Sequence, residues 1–187
     1  MRLVAALLVA ALVPPTAPVQ VMLDRAVYAP GLVGHVQVRA GQDGYLLVLH
    51  ADPEGRVRVA FPLDPDMPTQ VHAGQAIDIT TRRGRAAFTV EDTVGSGLWY
   101  AAISTVQFRP DSFALGNHWD YRRFPTLAED QDWNAALTRL VSALAEGRFD
   151  HDIATYRVVP VPTPSKKPRT SAPSGPYATP RYPGVRL

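Results

Sequence analysis

The stretch Gly44–Pro62, GYLLVLHADPEGRVRVAFP, restricts this chain more than any other. Tyr45-Leu46-Leu47-Val48-Leu49 runs apolar up to His50, so an extended strand here is apolar on both faces. Such a strand has to be covered from two sides, unlike a half-buried strand that alternates apolar and polar residues. Asp52-Pro53-Glu54-Gly55 then fits a type I turn, with Asp first, Pro where φ is already fixed, and Gly fourth. Beyond it Val57, Val59 and Phe61 alternate with Arg56, Arg58 and Ala60, the mark of a strand with one wet face. The segment is a structural hairpin whose first strand belongs in the middle of a fold. Leu98-Trp99-Tyr100-Ala101-Ala102-Ile103 makes the same demand for cover on both faces.

Other segments can supply that cover. Val19–Asp24 and Val33–Ala40 read as strands, the second with Val36 and Val38 set against His35, Gln37 and Arg39. Ala76–Thr80 and Ala86–Glu91 flank a basic TRRGR loop, Gly97–Phe108 follows VGSG, and Asp152–Val159 is a last strand. Short strands at this spacing, punctuated by Gly and Pro, predict an all-β sandwich or barrel. One helix interrupts them at about 130–146, where Trp133, Leu137, Leu140, Val141 and Leu144 recur at helical spacing. Asp130 or Asp132 serves as its N-cap and Gly147 as its C′ residue, with Asn134, Thr138, Arg139 and Glu146 outward. The expected fold class is mainly β, an antiparallel sandwich over 19–159 with one C-terminal amphipathic helix.

The two ends differ from this body. Arg2 followed by eleven apolar residues, Leu3 to Val13, is too short to span a bilayer and suits a signal peptide ending at Ala17. No transmembrane segment is expected once such a leader is removed. The stretch 160–187 carries eight prolines, five cations and no acid, and predicts a disordered, basic, Pro-rich tail. The formal charge of +2 therefore hides a body at −3, which is not the footprint of a nucleic-acid binder. Cysteine is absent, which excludes disulfides and a lipidated thiol. Together these features point to an exported protein, periplasmic or at the cell surface.

Several motifs occur in a fixed order: Tyr28-Ala29-Pro30-Gly31, Gly44-Tyr45-Leu46-Leu47-Val48-Leu49, Asp52-Pro53-Glu54-Gly55-Arg56-Val57, Phe61-Pro62 and Ala73-Gly74-Gln75. In that order they resemble the bacterial family known as domain of unknown function 4384, over Val19 to Phe108. The resemblance implies an immunoglobulin-like β-sandwich found in exported or envelope proteins. It implies no activity, and it does not extend to the helix or the tail.

No catalytic or metal-binding spacing stands out. His35, His50, His72, His118 and His151 form no close ligand pair, although His35 and His50 lie on neighbouring strands. Asp64-Pro65-Asp66 lacks the Gly and Glu of a calcium loop. Ser96 lacks the glycine two residues before it that a nucleophile elbow requires. The best recognition candidate is GNHWDYRRF, where Trp119, Tyr121, Arg122, Arg123 and Phe124 combine the aromatic and Arg residues enriched at interfaces. Its structural alternative is a connection folded back onto the sandwich. The reading expected from sequence is a non-enzymatic exported module that binds an envelope protein or glycan and needs no cofactor. A structural surface component and a hydrolase with residues converging only in space, near His50 or His118, are the alternatives.

Overall fold

The computed structural model of the 187-residue chain describes residues 17–81, 84, 88–90 and 93–160. The expected leader up to residue 16, the three arginines of the TRRGR loop and the tail from 161 lie outside the described residues. In chain order the strands are β1 (Val19–Leu23), β2 (Val27–Tyr28), β3 (Val33–Gly34), β4 (Val36–Ala40), β5 (Gly44–Ala51), β6 (Val57–Phe61) and β7 (Gln70–Val71). They continue as β8 (Ala76–Ile79), β9 (Phe88–Thr89), β10 (Gly95–Ser104), β11 (Ala114–Leu115) and β12 (His118–Trp119), then helix α1 (Trp133–Leu144) and β13 (Phe149–Val158).

The two apolar runs become β5 and β10, which pair antiparallel from Tyr45↔Ser104 to Ala51↔Leu98. Around them the larger sheet has the order β2-β13-β10-β5-β6, with β7 pairing to the start of β5. The smaller sheet is β1-β4-β8. Alternation along β5 and β10 sends Leu46, Val48, Trp99, Ala101 and Ile103 toward the smaller sheet, where they meet Val19, Val36, Val38 and Ile79. Leu47, Leu49, Tyr100 and Ala102 point the other way, onto Leu137, Leu140, Val141 and Leu144 of α1. The molecule is thus mainly β and sandwich-like, with small sheet, large sheet and helix as successive layers.

Local chemistry fixes the helix ends. Asp132 is the N-cap, its carboxylate accepting from the Ala135 amide at 3.0 Å. At the other end Gly147 is not the C′ residue. Ala145 leaves the helix in extended conformation, and the Leu144 carbonyl accepts from the Arg109 amide at 2.7 Å, so no left-handed glycine is needed. Thr138, expected outward, reaches the Tyr100 hydroxyl at 3.0 Å. The stretch expected as one strand over 33–40 breaks at His35, because β3 pairs with β9 while β4 pairs with β1. Asp24 holds the junction, its carboxylate accepting from the His35 amide at 2.9 Å.

The two edges of the sandwich differ. On one, the Asp152 carboxylate of β13 accepts from the Val21 amide of β1 at 2.8 Å and ties the sheets together. On the other, the end strands β6 and β8 face each other across a cleft.

Replacing Leu137, which is fully buried between helix and sheet, by Ala should cost about 3 kcal/mol. Urea denaturation checks this as a lower midpoint at unchanged slope.

Candidate functional site

The cleft between β6 and β8 has a volume of about 450 Å³, within the range of small-ligand sites. Its floor is built from the inner face of the larger sheet. His50 of β5 stacks on Trp99 of β10 with ring centroids 4.2 Å apart and planes 17° from parallel. The His50 Nε2 and the Tyr156 hydroxyl share a hydrogen bond of 2.8 Å. Phe88 lies 5.4 Å from the Trp99 ring and 5.1 Å from that of Tyr156. Two glycines make room for these rings. A Cβ on Gly97 would clash with the Tyr156 ring, and one on Gly34 with the Phe88 ring.

Burial is the main influence on His50 and pushes its pKa down to about 4; the Arg58 charge adds to this and that of Asp52 opposes it. At neutral pH the ring is uncharged. Trp99 is 1% exposed, and its indole N–H has no hydrogen-bond partner among the described residues. The rim is polar. Asp52 Oδ2 takes Arg56 Nε at 2.7 Å, and Glu54 takes a second Arg56 nitrogen at 2.9 Å and the Thr93 hydroxyl at 2.8 Å. Asp52 Oδ1 also accepts from the amides of Glu54 and Arg56, which closes the turn expected from the sequence.

The five residues proposed from sequence for partner recognition are divided by the structure. Trp119 and Phe124 are each 8% exposed and belong to the outer core, so neither presents a face to a partner. The reason is the edge of β6. The connection 113–127 folds back over it: Trp119 donates its indole N–H to the Pro62 carbonyl at 3.0 Å, Thr126 bridges to Arg56, and the Leu127 amide donates to the Gly55 carbonyl at 2.8 Å. Gly55 is required twice, for its φ of +76° and because a Cβ would strike the Leu127 carbonyl. Covering an edge strand in this way blocks its pairing with other chains. Tyr121 remains 46% exposed. Arg122 and Arg123 reach solvent but are drawn onto the buried Asp120, at 2.8 and 3.4 Å. The Arg122 hydrogen bonds hold the Asp120 carboxyl below the usual range.

The remaining candidates do not assemble. His35 is exposed and is not part of the cleft. His118 lies 3.5 Å from Asp64 on the surface, and His72 lies 3.7 Å from Asp43. Among the described residues no group of three metal-ligating side chains occurs. Sequence reasoning placed Trp99 and Tyr156 in strands but did not single them out. The one signal available was a polar-tipped aromatic in the middle of an otherwise apolar run.

Fold and cleft together describe a β-sandwich domain that is open along one edge above an aromatic floor. Residues 27–107, from β2 to just past β10, match the family described as Domain of unknown function (DUF4384). Nothing among curated proteins or solved structures matches the chain. The helix and the covering connection lie beyond the matched residues.

Two outcomes test this description. Because His50 is neutral in the fold, its contribution is fully present above about pH 6.5 and is lost as pH falls toward 4. Between pH 7 and pH 5 the wild type should lose about 2 kcal/mol more than His50→Gln, measured by urea unfolding at both pH values. Trp119→Ala should cost about 3–5 kcal/mol, since it empties a core position and leaves the Pro62 carbonyl without its donor. Thermal unfolding distinguishes that outcome from a surface role, which would leave the melt unchanged.

Proposed function

We propose that this chain is an exported, non-enzymatic binding module of the cell envelope, and that its protein or glycan ligand enters the cleft above His50 and Trp99. The observation that carries the reading is the Trp99 indole N–H, buried without an acceptor beside a cavity of ligand size. A buried donor left unpaired costs about 1–3 kcal/mol, and a ligand oxygen would remove that cost. Export is supported by the leader pattern of Arg2 and the apolar run Leu3 to Val13. No helix among the described residues is long and apolar enough to cross a membrane.

The same cleft sets Asp52 and Glu54 near His50, a grouping that a hydrolase would also use. Binding is the better reading because a general base works best with a pKa near the working pH. His50 lies well below that, and both acids are held by Arg56 within their own turn. A neutral imidazole bonded to Tyr156 is suited to holding a fixed hydrogen bond.

Two measurements test the two halves. N-terminal sequencing of the full chain recovered from a periplasmic fraction should begin just after Ala17; recovery in the cytoplasm with the leader intact overturns export. For binding, immobilised wild type and Trp99→Phe are exposed to envelope protein and glycan fractions, after both are shown to melt cooperatively. A ligand kept by the wild type, lost by Trp99→Phe and bound again in purified form by calorimetry supports the cleft. Equal retention by both proteins overturns it.

A further inference from the structure

We infer that the cleft takes a ligand bearing a carboxylate and, a few bonds away, a carbonyl oxygen: the carboxylate on Arg58 at the rim, the carbonyl on the Trp99 indole N–H at the floor. This deepens the binding reading above and rests on it.

Strand register brings the two groups together. Arg58 of β6 is the cross-strand partner of His50 on β5, and His50 is that of Trp99 on β10. Residues in one such row project to the same face of a sheet, and Trp99 belongs to the inner core. The row therefore runs from solvent to interior as guanidinium, imidazole and indole, with Arg58 exposed and Trp99 buried. Neighbouring strands lie about 4.8 Å apart, so the backbones of Arg58 and Trp99 are separated by roughly 10 Å. A ligand spanning the row needs two acceptors rather than one. The register shifts between Val48 and Leu49, so Ala60 is an extra residue on β6 in this same region. Bulges of this kind are frequent beside binding sites, where they re-aim side chains.

Both protein groups lack partners of their own. Arg58 makes no ion pair or hydrogen bond among the described residues, and Trp99 makes none through its N–H. A charge pointing inward from an end strand also discourages edge-to-edge pairing. That accounts for the arginine and leaves the buried donor beyond it unexplained. A carboxylate suits the planar guanidinium, which can hold it through two parallel hydrogen bonds. A cationic ligand would find Asp52 and Glu54 already held by Arg56. Ile79 and Val90 supply the apolar wall for the body of the ligand.

The test follows the indole N–H signals of the full chain by ¹⁵N–¹H NMR. The protein has three tryptophans, and Trp99→Phe identifies the signal of Trp99. The probes are N-acetyl-alanyl-alanine, its C-terminal amide and levulinate, a free keto acid. N-acetyl-alanyl-alanine should move the Trp99 signal saturably, and Arg58→Gln or the amide cap should each weaken binding by about tenfold or more. Arg58 is exposed, so that variant should melt like the wild type. Tighter binding of the dipeptide than of levulinate identifies a chain terminus as the source of the carboxylate. The reverse order identifies a free acid, and both orders uphold the chemistry. Equal binding of acid and amide, or an unweakened Arg58→Gln, overturns the ligand class while leaving the cleft as a binding site. A Trp99 signal unmoved by every probe also overturns it, and the binding reading is then decided by the retention assay with Trp99→Phe.

Discussion

Burial of the β5–β10 pair on both faces is the constraint from which the rest of this structure follows. Eleven apolar residues, Tyr45 to Leu49 and Leu98 to Ile103, leave no side of these strands that water can wet. One face needs a second sheet and the other needs something else, because two sheets supply only one interior. The helix is that second cover. Its position is set by the chain after β10, since the Arg109 amide caps the carbonyl of Leu144 and an ion pair of 2.9 Å joins Arg109 to Glu146. The family match ends before this cover begins. The matched segment alone would expose Leu47, Leu49, Tyr100 and Ala102, so the outer core depends on residues outside it.

Polar chemistry is accordingly pushed to the edges of the larger sheet, and the two edges are treated differently. At the β13 side a single carboxylate, Asp152, fastens the sheets. At the β6 side the outer backbone is covered by the connection carrying Trp119, while the inner face opens into the cleft. The aromatic connection and the cleft thus lie on opposite faces of one strand. Blocking sheet extension along β6 leaves the groove between the sheets as the accessible feature of this edge.

How far the sequence was legible follows from the same physics. Periodicity reports burial, so the two central strands, their double cover and the helix could all be read from the sequence, with the N-cap narrowed to Asp130 or Asp132. Where the chain leaves regular structure no period exists. Trp119 and Phe124 looked like a recognition surface because aromatic residues in a connection carry no sign of which way they face. Gly147 was misplaced for a related reason, since the helix ends on a long-range bond from Arg109 that local capping rules do not contain. The site was the least legible part. Nothing in the order of residues places Arg58, His50 and Trp99 in one row, which emerges only from register across two strand pairs.

Trp99 decides how that row is to be understood. As a core residue it would be an inefficient choice, because Phe would fill much of the same space without a donor to satisfy, and buried polar groups are nearly always paired. The surroundings are built to keep large rings here: Gly97 admits Tyr156, Gly34 admits Phe88, and His50 is held flat on the indole. A core shaped only for stability could replace these glycines and rings with branched aliphatic residues, which pack on strands at lower conformational cost. Retaining an unpaired buried N–H on a residue that lines the cleft, in one row with an unpaired guanidinium, is the arrangement expected where a ligand completes the hydrogen bonding.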